Sequence, residues 1–257
     1  MNPTASQWLI SQKNKDKFLK SCEFFVNNDE AFKNFRQGNN FGGVLEGNDE
    51  NDWDVSGNYI VQHGGESFLN ENLNKFLRND SIGNPKTYQG ISIATMRYIN
   101  SAYEISLLLK DYRPKRILEI GGGYGGLCRI LSEIYNFEEY TDKDLPQVEN
   151  LFKKYLSKFR ELNGRINTTI SGTYDLFIAD SSLSECDRKT QLFYGNLAIK
   201  CKYVYLVYNT VHIIGGRENF RDLFKLFKDY NIIRVPGIET SNDGIKSFTN
   251  TFLMEKI

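Results

Sequence analysis

The stretch Arg116-Ile117-Leu118-Glu119-Ile120-Gly121-Gly122-Gly123-Tyr124-Gly125-Gly126-Leu127-Cys128-Arg129-Ile130-Leu131 decides the fold of this 257-residue chain. Ile117, Leu118 and Ile120 form a short apolar run, the pattern of a buried parallel strand. Five glycines in six positions follow at once, and Leu127, Ile130, Leu131 and Ile134 then recur at helical spacing. The order is strand, tight glycine turn, helix, which is the setting a nucleotide-binding glycine loop requires. Glycine lets the main chain turn with positive φ and lets a ligand come close to it. The free N–H groups at the start of the following helix attract acceptors and negative charge.

The neighbours of the glycines narrow the ligand. Gly121-x-Gly123-x-Gly125 is a G-x-G-x-G spacing, although Gly126 also permits the dinucleotide register G-x-G-x-x-G. No Lys-Ser or Lys-Thr follows the last glycine, so this is not a Walker phosphate loop. Glu119 stands at the strand end, where a carboxylate would repel a pyrophosphate. It suits a ligand that carries a cation and hydroxyls, such as S-adenosylmethionine. The plain alternative is a helix-packing turn with a solvated Glu119. The backbone entropy that so many glycines cost weighs against that reading.

Composition excludes several classes. Lys plus Arg number 32 and Asp plus Glu number 32, so no net charge recommends a nucleic-acid partner. No apolar run approaches the roughly 20 residues of a membrane span. The first residues, Met1-Asn2-Pro3-Thr4-Ala5-Ser6, carry no signal-peptide pattern. Cys22, Cys128, Cys186 and Cys201 are scattered without a C-x-x-C pair, which reads as reduced thiols in a cytoplasmic setting. Two histidines leave little material for a metal site, and no metal is expected.

Outward from the glycine stretch, the chain alternates strands and helices. Upstream, residues 1–65 are polar with interspersed aromatics and form an N-terminal helical extension. We read it as a cap, a lid or an oligomerisation arm that would make a homodimer. Within it, residues 38–58 are turn-laden, and Trp53 between two acids faces either a sugar ring or a packing partner. Residues 66–257 form the main domain. Its first helices cover 66–80 and 92–109, with a polar turn from Asp80 to Tyr88 between them. Downstream, strands are expected at 137–142, 165–170, 174–180, 203–208, 232–235 and 251–254. Helices are expected at 145–159, 188–199 and 217–230. The last two strands have no helix between them and imply an antiparallel final hairpin. The fold class is therefore α/β, a Rossmann-like seven-stranded and mostly parallel sheet with an antiparallel last strand. Asp144 lies 19 residues past Gly125, close to the roughly 20 expected for the acid that binds ribose hydroxyls. Asp142 is its rival, and a helix cap is the plain reading of Asp144.

These residues resemble class I S-adenosylmethionine-dependent methyltransferases through Glu119-x-Gly121-x-Gly123-x-Gly125 and the seven-strand pattern. Further blocks resemble the sugar O-methyltransferases of glycan gene clusters: Gly83-Asn84-Pro85 with Tyr88, Arg97-Tyr98-Ile99, Asp144-Leu145-Pro146 and Ser182-Leu183-Ser184-Glu185. The likeness runs from about residue 70 to 210. Asp180 departs from it, standing where Asn or Ser is usual. The resemblance implies an S-adenosylmethionine-dependent methyltransferase that transfers methyl to a hydroxyl of a sugar or glycan. It implies a cofactor set of Glu119, Gly121, Gly122, Gly123, Tyr124, Gly125, Asp144, Leu145, Ser181 and Ser182. Tyr88 or Arg97 would meet the methionine carboxylate. A sugar hydroxyl is a poor nucleophile, so a general base is expected from the loops after the fourth and fifth strands. Glu185 and His212 fit, Glu185 through the resemblance and His212 through its unperturbed pKa, with Asp180 third. His63 could reach over as part of a lid. A catalytically silent domain of this fold that binds cofactor or glycan is the alternative, as is a methyltransferase acting on a non-sugar small molecule. An NAD-dependent sugar oxidoreductase ranks below these, because Tyr-x-x-x-Lys occurs only away from strand four.

Overall fold

The computed structural model describes residues 12–37, 58–209, 221–242 and 245–257. Seven strands form one sheet. They are β3 (Arg116–Ile120), β4 (Glu139–Lys143), β5 (Ile166–Asn167), β6 (Leu176–Asp180), β7 (Tyr203–Asn209), β8 (Tyr230–Asn242) and β9 (Ile245–Lys256). Their order is β5-β4-β3-β6-β7-β9-β8. The first five pair in parallel, and β9 runs antiparallel between β7 and β8. This is the Rossmann-like sheet with an antiparallel last strand that the sequence implies. A small antiparallel pair, β1 (Thr87–Tyr88) with β2 (Ile91–Ser92), lies outside it.

β3 is central because it is buried on both faces. Ile117 enters one core with Ile178 and Tyr205, while Leu118 and Ile120 enter the other with Ala179 and Leu206. From β3 the chain builds toward β5 on one side and then returns to β6 on the other. The C-terminal ends of β3 and β6 therefore flank the topological switch point, where open α/β sheets bind ligands.

The Ile93–Leu109 helix brings the chain down to β3. It is capped by Ser92, whose hydroxyl accepts from the Thr95 amide at 3.1 Å. The Pro146–Leu156 helix follows β4 with Pro at its start. The Gln12–Asn27 helix lies against it. Lys154 donates to the carbonyls of Phe25 and Val26 and to Asp29, at 3.1, 2.8 and 2.6 Å. Phe18, Cys22, Phe25, Phe32 and Phe35 join the same core as Phe152 and Tyr155, so the described part of the extension shares the core of the main domain.

A buried polar clamp completes that union. Arg36 is 2% exposed, and it donates to the Asn79 carbonyl (2.7 Å), Asp80 (3.0 Å) and the Ser92 hydroxyl (2.9 Å). Asp80 also accepts from the Ser92 amide and hydroxyl and from Thr95. Among the described residues no helix is long and apolar enough to cross a membrane.

Candidate cofactor-binding site

The glycine turn bends back over the end of β4. Gly121 carries a φ of +78°, which favours glycine. A Cβ there would also run into Ser182, with its Oγ only 2.9 Å away. A Cβ on Gly122 would strike two carboxylates, Glu119 and Asp142, the latter at 2.7 Å. The turn is fixed by main-chain donors: Gly121 N to the Lys143 carbonyl (3.0 Å), Gly122 N to Asp142 Oδ1 (2.9 Å) and Gly123 N to Asp144 Oδ2 (3.3 Å).

The acids around this turn have different stations. Glu119 is 2% exposed, which removes the alternative of a solvated glutamate: its carboxyl lies beneath the turn and accepts from the Tyr140 hydroxyl at 2.8 Å. Burial pushes it up to about 8. The Tyr140 bond opposes the shift, and the charges of Asp180 and Asp144 add to it. Asp142 is fully buried in β4, directly opposite Glu119 in the parallel register. Burial, then Asp144 and Glu119, hold it well above the usual carboxylate range. Asp142 therefore ties the turn to the sheet. Asp144 stands just past β4 and is half-buried. Its Oδ1 accepts from the Leu145 amide at 2.7 Å. Burial pushes Asp144 up to about 6, against the pull of the Leu145 and Gly123 amides. Of the two rivals, Asp144 is the one with a face left for a ligand.

The loop after β6 meets the turn from the other side. Asp180 accepts from Ser101 Oγ on the Ile93–Leu109 helix (2.7 Å) and from Ser181 Oγ (3.3 Å). Ser181 has a φ of +66°, a left-handed conformation that a serine adopts only under local constraint. The Ser184 hydroxyl donates to the Ser181 carbonyl at 2.6 Å and pins it. Ser182 Oγ donates to the Ile120 carbonyl, which seats it against Gly121. Glu185 is half-buried in the short turn Leu183–Glu185.

Other candidate residues sit less directly. The Tyr124 side chain is fully buried among Phe35, Tyr98 and Tyr155, under the Arg36 guanidinium, so it can offer a ligand only its main chain. Leu145 packs on the core beside the extension. Cys22 of the Gln12–Asn27 helix is pushed up to about 12 by burial and by the charge of Asp144, which places that helix near the site. Arg97 is exposed, one helical turn before Ser101. Tyr88 is half-buried in β1, with Lys86 Nζ 4.6 Å from its ring centroid. His63 is exposed and stacks on Tyr59 at 4.1 Å. His212 and Trp53 lie outside the described residues.

Sequence reasoning did not single out Ser101 or Glu104. Glu104 is buried, accepts from the Tyr59 and Tyr205 hydroxyls and is held above its usual range by burial. An acid inside the apolar run Tyr103-Glu104-Ile105 was the available signal. Among the described residues no three His, Cys, Asp or Glu side chains are arranged to hold a metal ion.

No family model matches the chain, and no curated protein matches it. Solved structures with a related chain path include magnesium protoporphyrin IX methyltransferase from Synechocystis PCC 6803 with bound S-adenosylmethionine. That structure is 13% identical with a TM-score of 0.49, over 79% of this chain and 96% of the other. The mitomycin 7-O-methyltransferase MmcR is 12% identical with a TM-score of 0.47, over 98% of this chain and 70% of the other. An S-adenosylmethionine-dependent methyltransferase from Clostridium acetobutylicum is 14% identical with a TM-score of 0.45, over 61% and 90%. At these identities and scores the likenesses do not fix an activity. The architecture rests on the strand order itself.

Proposed function

We propose that this chain is an S-adenosylmethionine-dependent O-methyltransferase acting on a sugar hydroxyl. The observation that carries the cofactor is the set of acids around the glycine turn. Glu119 is acted on by the charges of Asp180 and Asp144, and Asp142 by those of Asp144 and Glu119, at the switch point. The neighbouring Lys143 is engaged by Glu149 at 2.6 Å. Such a site repels a pyrophosphate and attracts a ligand with a positive centre. Asp144 offers a carboxylate to a vicinal diol, and Leu145 offers an apolar edge.

When bound, the cofactor supplies an electrophilic methyl carbon on a sulfonium. The chain's own residues then do two things. The glycine turn, Asp144, Ser181 and Ser182 hold the cofactor in one orientation, with Arg97 or Tyr88 meeting its carboxylate. Positioning of this kind supplies much of the acceleration of a displacement reaction. The acceptor hydroxyl is placed over the ends of β6 and β7, where Glu185, Asp180 or His212 takes its proton. Asp180 has a fixed orientation through Ser101. The sugar acceptor rests on the resemblance of the Asp144-Leu145-Pro146 and Ser182–Glu185 blocks.

The test is incubation with methyl-labelled S-adenosylmethionine and a panel of nucleotide-sugars and oligosaccharides. Label in a sugar product supports the reading, and label only in non-sugar hydroxyl compounds removes the sugar assignment.

A further inference from the structure

Glu119 and Asp142 are direct neighbours on adjacent parallel strands, and both carboxyls press on the space above Gly122. Both are buried, at 2% and 0% exposure. Asp142 Oδ1 has the Gly122 amide, but Asp142 Oδ2 has no hydrogen-bond partner. A fully buried carboxylate oxygen without a donor carries a large desolvation cost. A second charged carboxylate beside it adds repulsion.

Among the described residues, the charges that act on the pair are all acids. From β4 the pair faces Tyr140, whose hydroxyl already donates to Glu119. The Gly126–Leu131 helix presents Cys128, whose thiol is pushed well up by burial and then by Glu119 and Asp142. The end of β4 presents Asp144, the Pro146–Leu156 helix presents Glu149, and β6 presents Asp180. Lys143 is bonded to Glu149. One proton held within the pair removes one of the two buried charges.

We propose that Glu119 and Asp142 hold one proton between them beneath the glycine turn and release it when a cationic ligand occupies the turn, so that the pair favours a sulfonium over the corresponding thioether. The inference rests on the S-adenosylmethionine reading of the site. On release, the O–H bond of the shared acid breaks, its electron pair stays on the carboxyl oxygen, and the proton passes to solvent. The added positive charge then faces two carboxylates. When methyl transfer leaves a neutral thioether, that stabilisation is lost and the proton returns, which lowers affinity for the product.

The test is calorimetric titration of the full chain with S-adenosylmethionine and, separately, S-adenosylhomocysteine, each at pH 7.5 in two buffers of different ionisation enthalpy. The buffer dependence counts protons directly and needs no acceptor. The expected result is that S-adenosylmethionine releases roughly half a proton or more beyond S-adenosylhomocysteine. That difference disappears in Asp142→Asn, which removes one of the two titrating carboxyls. Glu119→Gln gives the same reading if Asp142→Asn fails to fold. Equal proton counts for the two ligands in the unaltered chain overturn the proposal, as does a difference that persists in both variants. Binding of neither ligand overturns the cofactor reading and this inference with it.

Discussion

The Arg36 clamp and the acids around the glycine turn are two polar clusters built on opposite terms. The Arg36 clamp joins a guanidinium to Asp80, Asn79, Ser92 and Thr95, with the Tyr155 hydroxyl bonded to Asn79 at 2.5 Å. None of its buried side-chain atoms lacks a partner, and cation faces anion. The Glu119–Asp142–Asp144 cluster gathers three acids that, among the described residues, bond no cation, and it leaves Asp142 Oδ2 without a described partner. Satisfied networks rigidify a fold, whereas unsatisfied ones with perturbed titration mark places where something binds. The clamp therefore ties the segment around Arg36 to Asn79, Asp80 and Ser92, and the acid cluster is where we propose that the cofactor binds.

That contrast can be broken at its strongest point first. Arg36→Ala leaves Asp80 buried without its cation and should cost about 3–5 kcal/mol of stability, read by denaturant unfolding. A loss below about 1 kcal/mol would mean that the clamp is not the anchor described. On the other side, Asp144→Ala should leave the fold intact. It should weaken S-adenosylhomocysteine binding by about 1.5–3 kcal/mol, the range for a hydrogen bond to a charged group. Unchanged affinity would move the ribose contact elsewhere. Gly122→Ala drives a methyl group between Glu119 and Asp142, and it should destabilise the chain by about 1–3 kcal/mol through overpacking. A thermally neutral Gly122→Ala would show that the two carboxyls do not close on that space.

The smallest and most gradual effect concerns pH. Glu119 and Asp144 are pushed up, to about 8 and about 6, so the folded chain keeps protons that the unfolded chain has released. Unfolding then releases protons, and stability falls as pH rises. For Glu119 this contribution is complete below its ordinary value of 4.5 and is lost as pH passes through about 8. Melting temperatures of the ligand-free protein should decline across that window, and Glu119→Gln should flatten the decline. A rise in stability over the same range would contradict the assigned shifts.

Much of this was legible in the chain itself, for identifiable reasons. β3, β6 and β7 are apolar runs between turns, and each appears close to where periodicity puts it. The station of Asp144 beside the glycine turn, where it accepts from the Gly123 amide, agrees with its spacing to Gly125. Other features depend on contacts that no local pattern carries. The strand expected over 165–170 shrinks to Ile166–Asn167, since Asn167 Oδ1 turns back to accept from the amides of Thr168 and Thr169. The helix expected over 66–80 leaves α geometry at Phe76 and tightens through Leu77–Ser81, where Asn79 and Asp80 meet Arg36. Residues 87–92, read partly as turn, pair as β1 and β2 around Gln89 and Gly90, both at positive φ. The pairing of Glu119 with Asp142 needed the strand register, which no spacing rule supplies. Tyr124 sits within the glycine motif yet points into the aromatic core, because the extension brings Phe35 and Arg36 to it.

The measurement that bears most directly on the central claim is calorimetric titration of the purified chain with S-adenosylhomocysteine, with NAD in parallel. Micromolar binding of S-adenosylhomocysteine is expected, with a marked loss in Asp144→Ala and no response to NAD. Binding of NAD with silence toward S-adenosylhomocysteine would contradict that claim and return the glycine turn to the dinucleotide register.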